Sequence, residues 1–298
     1  FPDLPRDPEF VIGSNVFALA GTHTASGSAL LASDMHLDHG VPNTWYRAAF
    51  EYAGRTAVGV TLPGTPGLVA GSNGHVAWGF TNSYVDTGDL VAVEVNRSMP
   101  SLYTAPVEER ILTIERRKET IKVSGGSDVT AEYSWTIWGP IVGQDAQNRP
   151  LALRWIGHDA DAINLALLGM EDAKSVDEGI AIAHQIGIPA QNIFLADRAG
   201  NIAWTIAGRV PKRVGYDGRL PVSWAFGDRK WAGHLAPEET PVVRGVQSAH
   251  PGRLWSGNQR MIGGEAFNLL GDGGYARPYR AAQIRDGLTK LEKATPKD

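Results

Sequence analysis

Short apolar runs separated by glycine- and proline-rich turns constrain the fold of this chain most strongly. The 298 residues include 35 Gly and 18 Pro. Apolar runs such as Ala57–Leu62 and His75–Phe80 are short, and the first leads into the turn sequence Pro63–Gly67. This pattern favours a β-rich mixed architecture over a helical bundle. A chain of this length with 43% hydrophobic residues can form a sizeable core in one large domain or two.

Two strand pairs are predicted by apolar runs that flank short polar turns. Ile111–Val123 and Val129–Ile141 are rich in β-branched and aromatic residues and enclose a glycine-rich turn. Asn192–Leu195 and Asn201–Ile206 flank Asp197–Gly200 in the same way. Both segments are therefore expected to form β-hairpins.

Three segments carry helix signals. Asp161–Met170 has apolar residues at helical spacing, and Ser175–Glu178 forms a capping box ahead of Ile180–Ile186. Pro278–Leu291 is expected to be a helix opened by proline. Strands, then helices, then strands, without βαβ alternation, indicate antiparallel sheets layered with helices.

Charge and composition exclude several classes of function. The net charge of −4 leaves no basic stripe for phosphates, which argues against a nucleic-acid partner. No apolar stretch reaches the roughly 18 residues of a membrane-spanning helix, so no membrane span is expected. The absence of cysteine excludes disulfides, thiolate metal sites and a cysteine nucleophile.

The first residues are expected to form an extended leader. Phe1–Ile12 carries three prolines among acidic residues and has neither an initial methionine nor a signal-peptide pattern. The chain is therefore expected to be a processed or truncated piece. We divide it into a leader, residues 1–13, and a main portion, residues 14–298.

The dipeptide Gly13-Ser14 can be a self-cleavage point. It is followed by Asn15 and the strand-like run Val16–Ala20. If the bond before Ser14 breaks, the serine gains a free α-amino group beside its hydroxyl, which places a nucleophile and a base in one residue. An α-amino group has a pKa near about 7.7 to 8, so much of it is available as a base at neutral pH.

A second candidate is a polar cluster that follows an apolar strand. Asp34, His36, Asp38 and His39 bring two carboxylates and two imidazoles close together, and these could ligate a metal ion. The alternative is a loop at a strand end that collects hydrogen-bonding residues. We favour the loop, because the sequence offers no distant third and fourth ligand.

A third candidate is the loop Asp86–Asp89. Two carboxylates three residues apart around a glycine suit a hard cation such as Ca²⁺, with main-chain carbonyls completing the shell. The alternative is a solvated turn, which the spacing alone does not exclude. Trp255–Arg260 by itself is an ordinary polar turn.

Taken together and in order, these segments resemble the penicillin acylase family of N-terminal-nucleophile hydrolases. Each motif is weak alone, but the ordered set is specific and runs from about Ile12 to the final helix. The matching motifs are Gly13-Ser14-Asn15, Ala32–Leu37, Trp45-Tyr46, Thr61–Gly67, Asn73–Thr81, Asp86, Trp138–Val142, Gln191-Asn192, Ala196-Asp197, Gly200–Ile202, Pro211, Gly257-Asn258 and Tyr279-Arg280.

The resemblance implies an α+β fold, an αββα four-layer sandwich of antiparallel sheets that is incomplete in this chain. It implies an amidohydrolase that cleaves an acyl-amide bond in a penicillin, an acyl-homoserine lactone or a related N-acyl compound. No cofactor for catalysis is expected. The resemblance also implies a periplasmic or secreted location. The chain is similar to the end of a linker plus the first half of a large subunit, so the small subunit and the remainder of the large subunit are the expected partners.

For catalysis, the resemblance implies that Ser14 is the nucleophile. Its own hydroxyl would attack the Gly13 carbonyl and release the α-amine through an N-to-O acyl shift. His36 falls where many relatives carry a histidine near that amine. After the Ser-Asn pair, relatives commonly have Asn or Ala followed by Trp, whereas this chain has Val16 followed by Phe17. This difference changes the pocket lining near the nucleophile.

The resemblance also implies an oxyanion hole. Its donors would be the backbone N–H of Asn82 and the side-chain amide of Asn258. Arg280 matches the arginine that supports this asparagine and the serine, and Arg277 is an alternative alignment for the same role.

A structural calcium ion is the last implication. Asp86, the Gly88 carbonyl and Asp89 match a calcium loop of the family, and the Pro211 carbonyl and Asp272 are weaker additions. Such a metal would hold loops together rather than take part in chemistry.

Two other functions remain open on the sequence alone. One is a metal-dependent hydrolase built around Asp34, His36, Asp38 and His39. The other is a β-rich binding module without catalytic activity. The acyl and amine preferences are not determined by the sequence.

Overall fold

The computed structural model describes residues 13–37, 40–108 and 110–298. The α-helices are α1 (Val176–Ala183), α2 (Gly264–Leu270) and α3 (Tyr279–Leu288). The strands are β1 (Gly13–Leu19), β2 (Leu30–His36), β3 (Tyr46–Tyr52), β4 (Arg55–Thr61), β5 (Ala70–Ser72), β6 (Val76–Asn82), β7 (Gly88–Ala92), β8 (Leu102–Thr104), β9 (Ile111–Thr113), β10 (Glu115–Ile121), β11 (Val129–Thr136), β12 (Gly139–Gln144), β13 (Pro150–Trp155), β14 (Gln191–Asp197), β15 (Ile202–Ala207), β16 (Pro211–Val214), β17 (Lys230–His234), β18 (Val242–Arg244) and β19 (Arg253–Ser256). Among these described residues, no helix has the length and apolar character needed to cross a lipid bilayer.

A small antiparallel sheet carries the Gly13-Ser14 dipeptide. Its strand order is β19-β1-β2, with β1 in the centre. The register places Gly13 opposite His36 and Ser14 opposite Met35. The backbone of Ser14 pairs with β2 on one side, while on the other its N–H donates to Oδ1 of Asn258 and its carbonyl accepts from Arg280.

A seven-stranded sheet lies against the small one. Its order is β18-β15-β14-β6-β5-β4-β3. All of its pairings are antiparallel, and β14 bonds to β6 with Asn192 opposite Thr81 and Gln191 opposite Asn82. The end of β6 therefore lies next to the start of β14.

The two sheets pack face to face around an apolar core. Val16 of the small sheet packs with Phe194 and Trp204 of the large one, and all three are fully buried. Gly79 in β6 permits the close approach, since a Cβ there would lie 3.0 Å from the Cβ of Ser33 in β2. Burial of this core is the main force that holds the two layers together.

Helices cover the outer faces. Helix α1 packs on β14 and β15, where Ile180 and Ala183 join the apolar cluster around Trp78. Helix α3 packs on β19, where Leu288 contacts the cluster of Leu19. The resulting order of layers is helix, sheet, sheet, helix, which confirms the predicted αββα architecture of an α+β fold.

A separate five-stranded sheet extends from the sandwich. Its order is β10-β11-β12-β13-β7, and it has a core of its own that includes Val91, Tyr103, Trp138 and Trp224. Strand β7 joins this sheet to the loop that follows β6, so the loop between Asn82 and Gly88 connects the two parts.

The predicted hairpins are confirmed, since β10 pairs with β11 and β14 pairs with β15. Ser175 caps α1, because its Oγ accepts a hydrogen bond from the backbone N–H of Glu178 at 3.2 Å. The reciprocal bond of the predicted capping box is replaced, since the Glu178 carboxylate accepts from the backbone N–H of Lys174 at 2.8 Å. Helix α3 lies within the predicted Pro278–Leu291. Helix α2 was not predicted.

The helix predicted over Asp161–Met170 is wrong. Only Ala166–Glu171 is helical, and it is a 3-10 helix. The side-chain oxygen of Asn164 accepts hydrogen bonds from the backbone N–H groups of Ala166 and Gly187. Asn164 thereby takes the Ala166 N–H, which an α-helix over this segment would bond internally, and ties the segment to Gly187 outside it.

Candidate active site

Ser14 lies at the start of β1 with only 6% of its surface exposed. Its Oγ faces two donors, the backbone N–H of Asn82 at 3.3 Å and the Nδ2 of Asn258 at 3.0 Å. These donors come from the end of β6 and from the residues after β19. The two sheets together therefore place two N–H groups on one serine oxygen.

The orientation of the Asn258 amide is fixed by its partners. Its Oδ1 accepts hydrogen bonds from the backbone N–H of Ser14 at 2.9 Å and from Nη2 of Arg280 at 2.8 Å. Neither partner can accept a hydrogen bond, so the oxygen must face them and Nδ2 must face the Ser14 hydroxyl. Asn258 has a φ of 69°, a conformation that asparagine tolerates better than most residues.

Arg280 binds the same group from helix α3. Its Nη1 donates to the Ser14 carbonyl oxygen at 2.8 Å and to Oδ1 of Asn15 at 2.6 Å. Arg277, the alternative alignment, is exposed. The arrangement therefore favours Arg280 over Arg277 for the supporting role.

His36 lies beside the bond that precedes the serine. Its Nε2 is 2.9 Å from Oδ2 of Asp34, and the Asp34 carboxylate also accepts from the backbone N–H of Asn15 at 2.9 Å. Nδ2 of Asn15 lies 3.2 Å from the same Nε2, so this ring nitrogen faces both a donor and an acceptor. The other ring nitrogen, Nδ1, would lie 3.2 Å from a Cβ built on Gly13.

There is little room for a side chain at Gly13. A Cβ there would lie 3.0 Å from Nη2 of Arg280 and 3.2 Å from Nδ1 of His36. A larger residue would therefore push the ends of these two side chains by a few tenths of an ångström.

A largely apolar cavity of about 460 Å³ opens next to Ser14. Its lining includes Met35, Trp45, Phe80 and Leu167, and no Lys, Arg, Asp or Glu is among the described residues that line it. Such a wall favours an uncharged apolar group and disfavours a charged one.

Four of the five residues predicted to hold calcium lie around one cavity, and the fifth does not. Asp86, Gly88, Asp89 and Asp272 line a second cavity of about 420 Å³. Pro211 does not line it and lies in β16 opposite His234. Carboxylate and carbonyl oxygens around a shared cavity fit a hard divalent cation, so this part of the expected donor set suits calcium.

An arginine binds the two carboxylates of this loop. Nε of Arg213 donates to Oδ2 of Asp89 at 2.9 Å, and its Nη2 lies 3.0 Å from Oδ2 of Asp86. Burial raises the pKa of Asp86, while Arg213 acts in the opposite direction. Arg219 also lines the cavity, so two guanidinium groups lie near its three carboxylates when Asp272 is included.

One other group of residue types that can ligate a metal lies close together in the described part of the chain. Asp159, Asp161 and His234 lie together, but Arg154 donates to Asp159 at 2.6 Å and Arg209 lies 3.5 Å from Asp161. These arginines neutralise the carboxylates, so the group is an ion-pair network.

The predicted cluster of Asp34, His36, Asp38 and His39 is described only in its first half. Asp38 and His39 lie outside the described residues. Asp34 and His36 contact each other and Asn15 beside the serine, as described above. Their position favours support of Ser14 over metal binding.

The comparison with protein families decides the assignment. The penicillin amidase family model matches residues 2–298. The chain belongs to the penicillin amidase family. The ordered motifs of the sequence are thus confirmed as a family signature.

Individual relatives agree with this assignment. An acyl-homoserine lactone acylase, QuiP, of Pseudomonas aeruginosa is 28% identical over 85% of this chain and 31% of its own length. The penicillin acylase 2 proenzyme of Pseudomonas sp. is 28% identical over 93% of this chain and 35% of its own length. The chain therefore spans about a third of the length of these curated relatives.

A solved structure shows the same fold. The thermostable penicillin G acylase from Alcaligenes faecalis superposes with a TM-score of 0.80 at 22% identity, over 95% of this chain and 50% of that chain. The similarity extends across both sheets of the sandwich and supports the layer order described above.

Sequence reasoning missed some residues of the site. Asn15 was noted only as part of a motif, yet its side chain joins Arg280 to Asp34. Asn192 was likewise noted without a role. Adjacency to Ser14 was a usable signal for Asn15, whereas the position of Asn192 is set by strand pairing.

Proposed function

We propose that this chain carries the nucleophile and oxyanion hole of an amidohydrolase that cleaves acyl-amide bonds. The observation that supports it is the pair of N–H donors, from Asn82 and Asn258, that converge on the Oγ of the buried Ser14. The names of the relatives, acyl-homoserine lactone acylase and penicillin acylase, point to the same reaction class.

The first proposed step releases the α-amine. The Ser14 hydroxyl attacks the Gly13 carbonyl carbon, the C–N bond breaks, and the nitrogen takes a proton to become the free amine. Water then hydrolyses the ester between Gly13 and the serine oxygen, leaving a carboxylate on Gly13. His36 lies beside this bond and is positioned to move the proton.

The second step is amide hydrolysis by the processed serine. The free amine accepts the hydroxyl proton, directly or through one water, while Oγ attacks the substrate carbonyl. Charge then develops on the carbonyl oxygen, where the N–H of Asn82 and Nδ2 of Asn258 stabilise it. The amine product leaves with a proton, and water hydrolyses the acyl ester to regenerate Ser14.

The cavity next to Ser14 suggests the kind of acyl group. Its lining of Met35, Trp45, Phe80 and other apolar side chains has no charged partner for a carboxylate. We therefore propose an uncharged, apolar acyl chain. The proposal does not specify the amine part of the substrate. The rest of the pocket is proposed to come from the small subunit and the remainder of the large subunit.

Self-cleavage is tested by mass. Protein expressed from the complete gene is expected to yield a chain that begins at Ser14, because only a free α-amine can serve as the base. Intact mass and N-terminal sequencing measure this. Ser14→Ala is expected to stay uncut, and Ser26→Ala, at an exposed turn, is expected to be cut normally. An uncut protein with full amidase activity would exclude the proposed mechanism.

Loss of the Asn258 amide is expected to reduce kcat by about 100- to 1,000-fold, the usual effect of removing one oxyanion donor. Asn258→Gly is the suitable change, because glycine keeps the positive φ without strain. Steady-state hydrolysis of a chromogenic amide measures the effect.

Asn148→Gly is the matched control, since Asn148 also has a positive φ but lies at an exposed turn. It is expected to keep normal kcat. Equal rates in Asn258→Gly and the unsubstituted enzyme would remove Asn258 from the oxyanion hole.

The acyl preference is tested with amides of one amine. Phenylacetyl and octanoyl amides are expected to exceed the glutaryl amide by at least about 100-fold in kcat/KM, since burying an unpaired carboxylate costs several kcal/mol. The methyl ester of the glutaryl amide has a similar length without the charge and is expected to recover most of the loss. A glutaryl amide turned over as fast as its ester would contradict an uncharged pocket.

We also propose a structural calcium ion held by Asp86, Asp89, Asp272 and the Gly88 carbonyl. The cavity that these residues share, which three carboxylates line, supports it. The ion would hold the loop after β6 to the residues after α2. Pro211 is not part of this proposal, because it does not line the cavity.

Adding calcium to the chelator-treated protein is expected to raise its melting temperature. At a calcium concentration of 100 times the Kd, the free energy of unfolding is expected to rise by about 2.7 kcal/mol. Asp272→Asn removes one proposed ligand at an exposed position and is expected to abolish most of the rise. Asp228→Asn, at an exposed position outside the cavity, is the control. Differential scanning fluorimetry with calcium and with magnesium measures the rise in melting temperature. An equal rise with calcium in Asp272→Asn and in Asp228→Asn would refute the site.

The periplasmic or secreted location stays a prediction, as does the division into residues 1–13 and 14–298. No observation on the described residues favours the metal-dependent hydrolase or the binding module over the serine amidohydrolase.

A further inference from the structure

A buried polar chain lies beneath the oxyanion hole and uses side chains to which the mechanism above gives no role. Its members are Thr81 in β6, Asn192 in β14, Trp204 in β15 and Ser256 in β19, each 1% exposed or less. Such groups are costly to bury unless every donor and acceptor is satisfied. Their hydrogen bonds therefore restrain the two residues above them, Asn82 and Asn258.

Trp204 fixes the direction of the chain. Its Nε1–H lies 2.8 Å from Oδ1 of Asn192. An indole N–H only donates, so the Asn192 oxygen must face it and the Asn192 NH₂ must face the other way. The amide cannot rotate by 180° without leaving the indole N–H unpaired.

The Asn192 NH₂ then binds the end of β6. Nδ2 donates to Oγ1 of Thr81 at 2.9 Å and to the carbonyl oxygen of Asn82 at 3.3 Å. That carbonyl also accepts from Nδ2 of Asn258 at 3.0 Å. Asn192 therefore restrains the residue whose backbone N–H is the first oxyanion donor.

The same chain reaches the second donor through Ser256. Because Thr81 accepts from Asn192, its hydroxyl proton is free to donate to Oγ of Ser256 at 3.0 Å. Ser256 Oγ also accepts the backbone N–H of Asn258 at 3.1 Å. This contact holds the positive-φ backbone of Asn258 and so places its side-chain amide on Ser14.

We infer that Asn192, with its orientation set by Trp204, is a positioning residue for both donors of the oxyanion hole. It touches neither the nucleophile nor the acyl cavity. It acts by holding the Asn82 carbonyl directly and the Asn258 backbone through Thr81 and Ser256. This inference rests on the proposed amidohydrolase function.

The test uses two small substitutions in the protein expressed from its complete gene. Trp204→Phe removes the indole N–H, and Ser256→Ala removes the acceptor of the Asn258 N–H. Each is expected to lower kcat about 10- to 100-fold, less than loss of a donor itself, with KM changed by less than about threefold because substrate binding is untouched. Rates are expressed per mole of processed chain, as counted by mass.

Thr205→Val is the matched control. Thr205 is the next residue of β15, fully buried, and bonds the Pro241 carbonyl at 2.8 Å and His184 at 2.9 Å. It is expected to lower the melting temperature about as much as Trp204→Phe while leaving kcat unchanged. A purely structural role for Trp204 would instead give the two variants the same kcat.

A double-mutant comparison shows whether the effect passes through the oxyanion hole. In an Asn258→Gly background, Ser256→Ala is expected to change kcat by less than about twofold, because the amide that Ser256 positions is gone. A full additive loss would overturn the inference.

The two possible failures are distinguishable. Unchanged kcat in Trp204→Phe and Ser256→Ala, in an otherwise active enzyme, overturns this inference alone. If the unsubstituted protein neither hydrolyses any amide nor reacts at Ser14 with a sulfonyl fluoride, the proposed function fails and the inference fails with it.

Discussion

The orientation of the Asn258 amide is the constraint on which the rest of the site depends. Its oxygen faces Arg280 and the Ser14 N–H, and its nitrogen faces the Ser14 hydroxyl. Reversing the amide would set donors against donors and leave a buried guanidinium contact unsatisfied, which costs more than a typical hydrogen bond contributes. One cation thereby determines which end of a neutral side chain points at the Ser14 hydroxyl.

The fold supplies these partners from segments far apart in the chain. Ser14 comes from the first strand, Asn82 from the end of β6, Asn258 from the turn after β19 and Arg280 from α3. They converge because two antiparallel sheets share one core and because Gly79 lets the sheets approach closely. A site built between packed layers is held rigidly, as preorganised stabilisation of developing charge requires.

Polar and apolar side chains lie on different sides of Ser14. Arg280, Asp34 and His36 lie on the side of the peptide bond before Ser14, where proton transfer is proposed. The cavity on the other side is lined largely by apolar side chains. The serine hydroxyl therefore lies between a hydrogen-bonded polar group and a cavity that suits an apolar ligand.

Sequence alone determined the local features, since each depends on residues close together in the chain. The hairpins, the Ser175 cap, the final helix and the Gly13-Ser14 dipeptide all follow from short patterns, and the ordered motifs identified the family. Tertiary structure alone decided the rest: Asn164 bonds across to Gly187 and prevents a helix, Pro211 lies outside the acidic cavity, and Asn192 meets Thr81 only through strand pairing. Hydrogen bonds between residues 23 or 111 positions apart, as in the first and last of these cases, leave no periodic trace in a sequence, because their geometry exists only after the chain has folded.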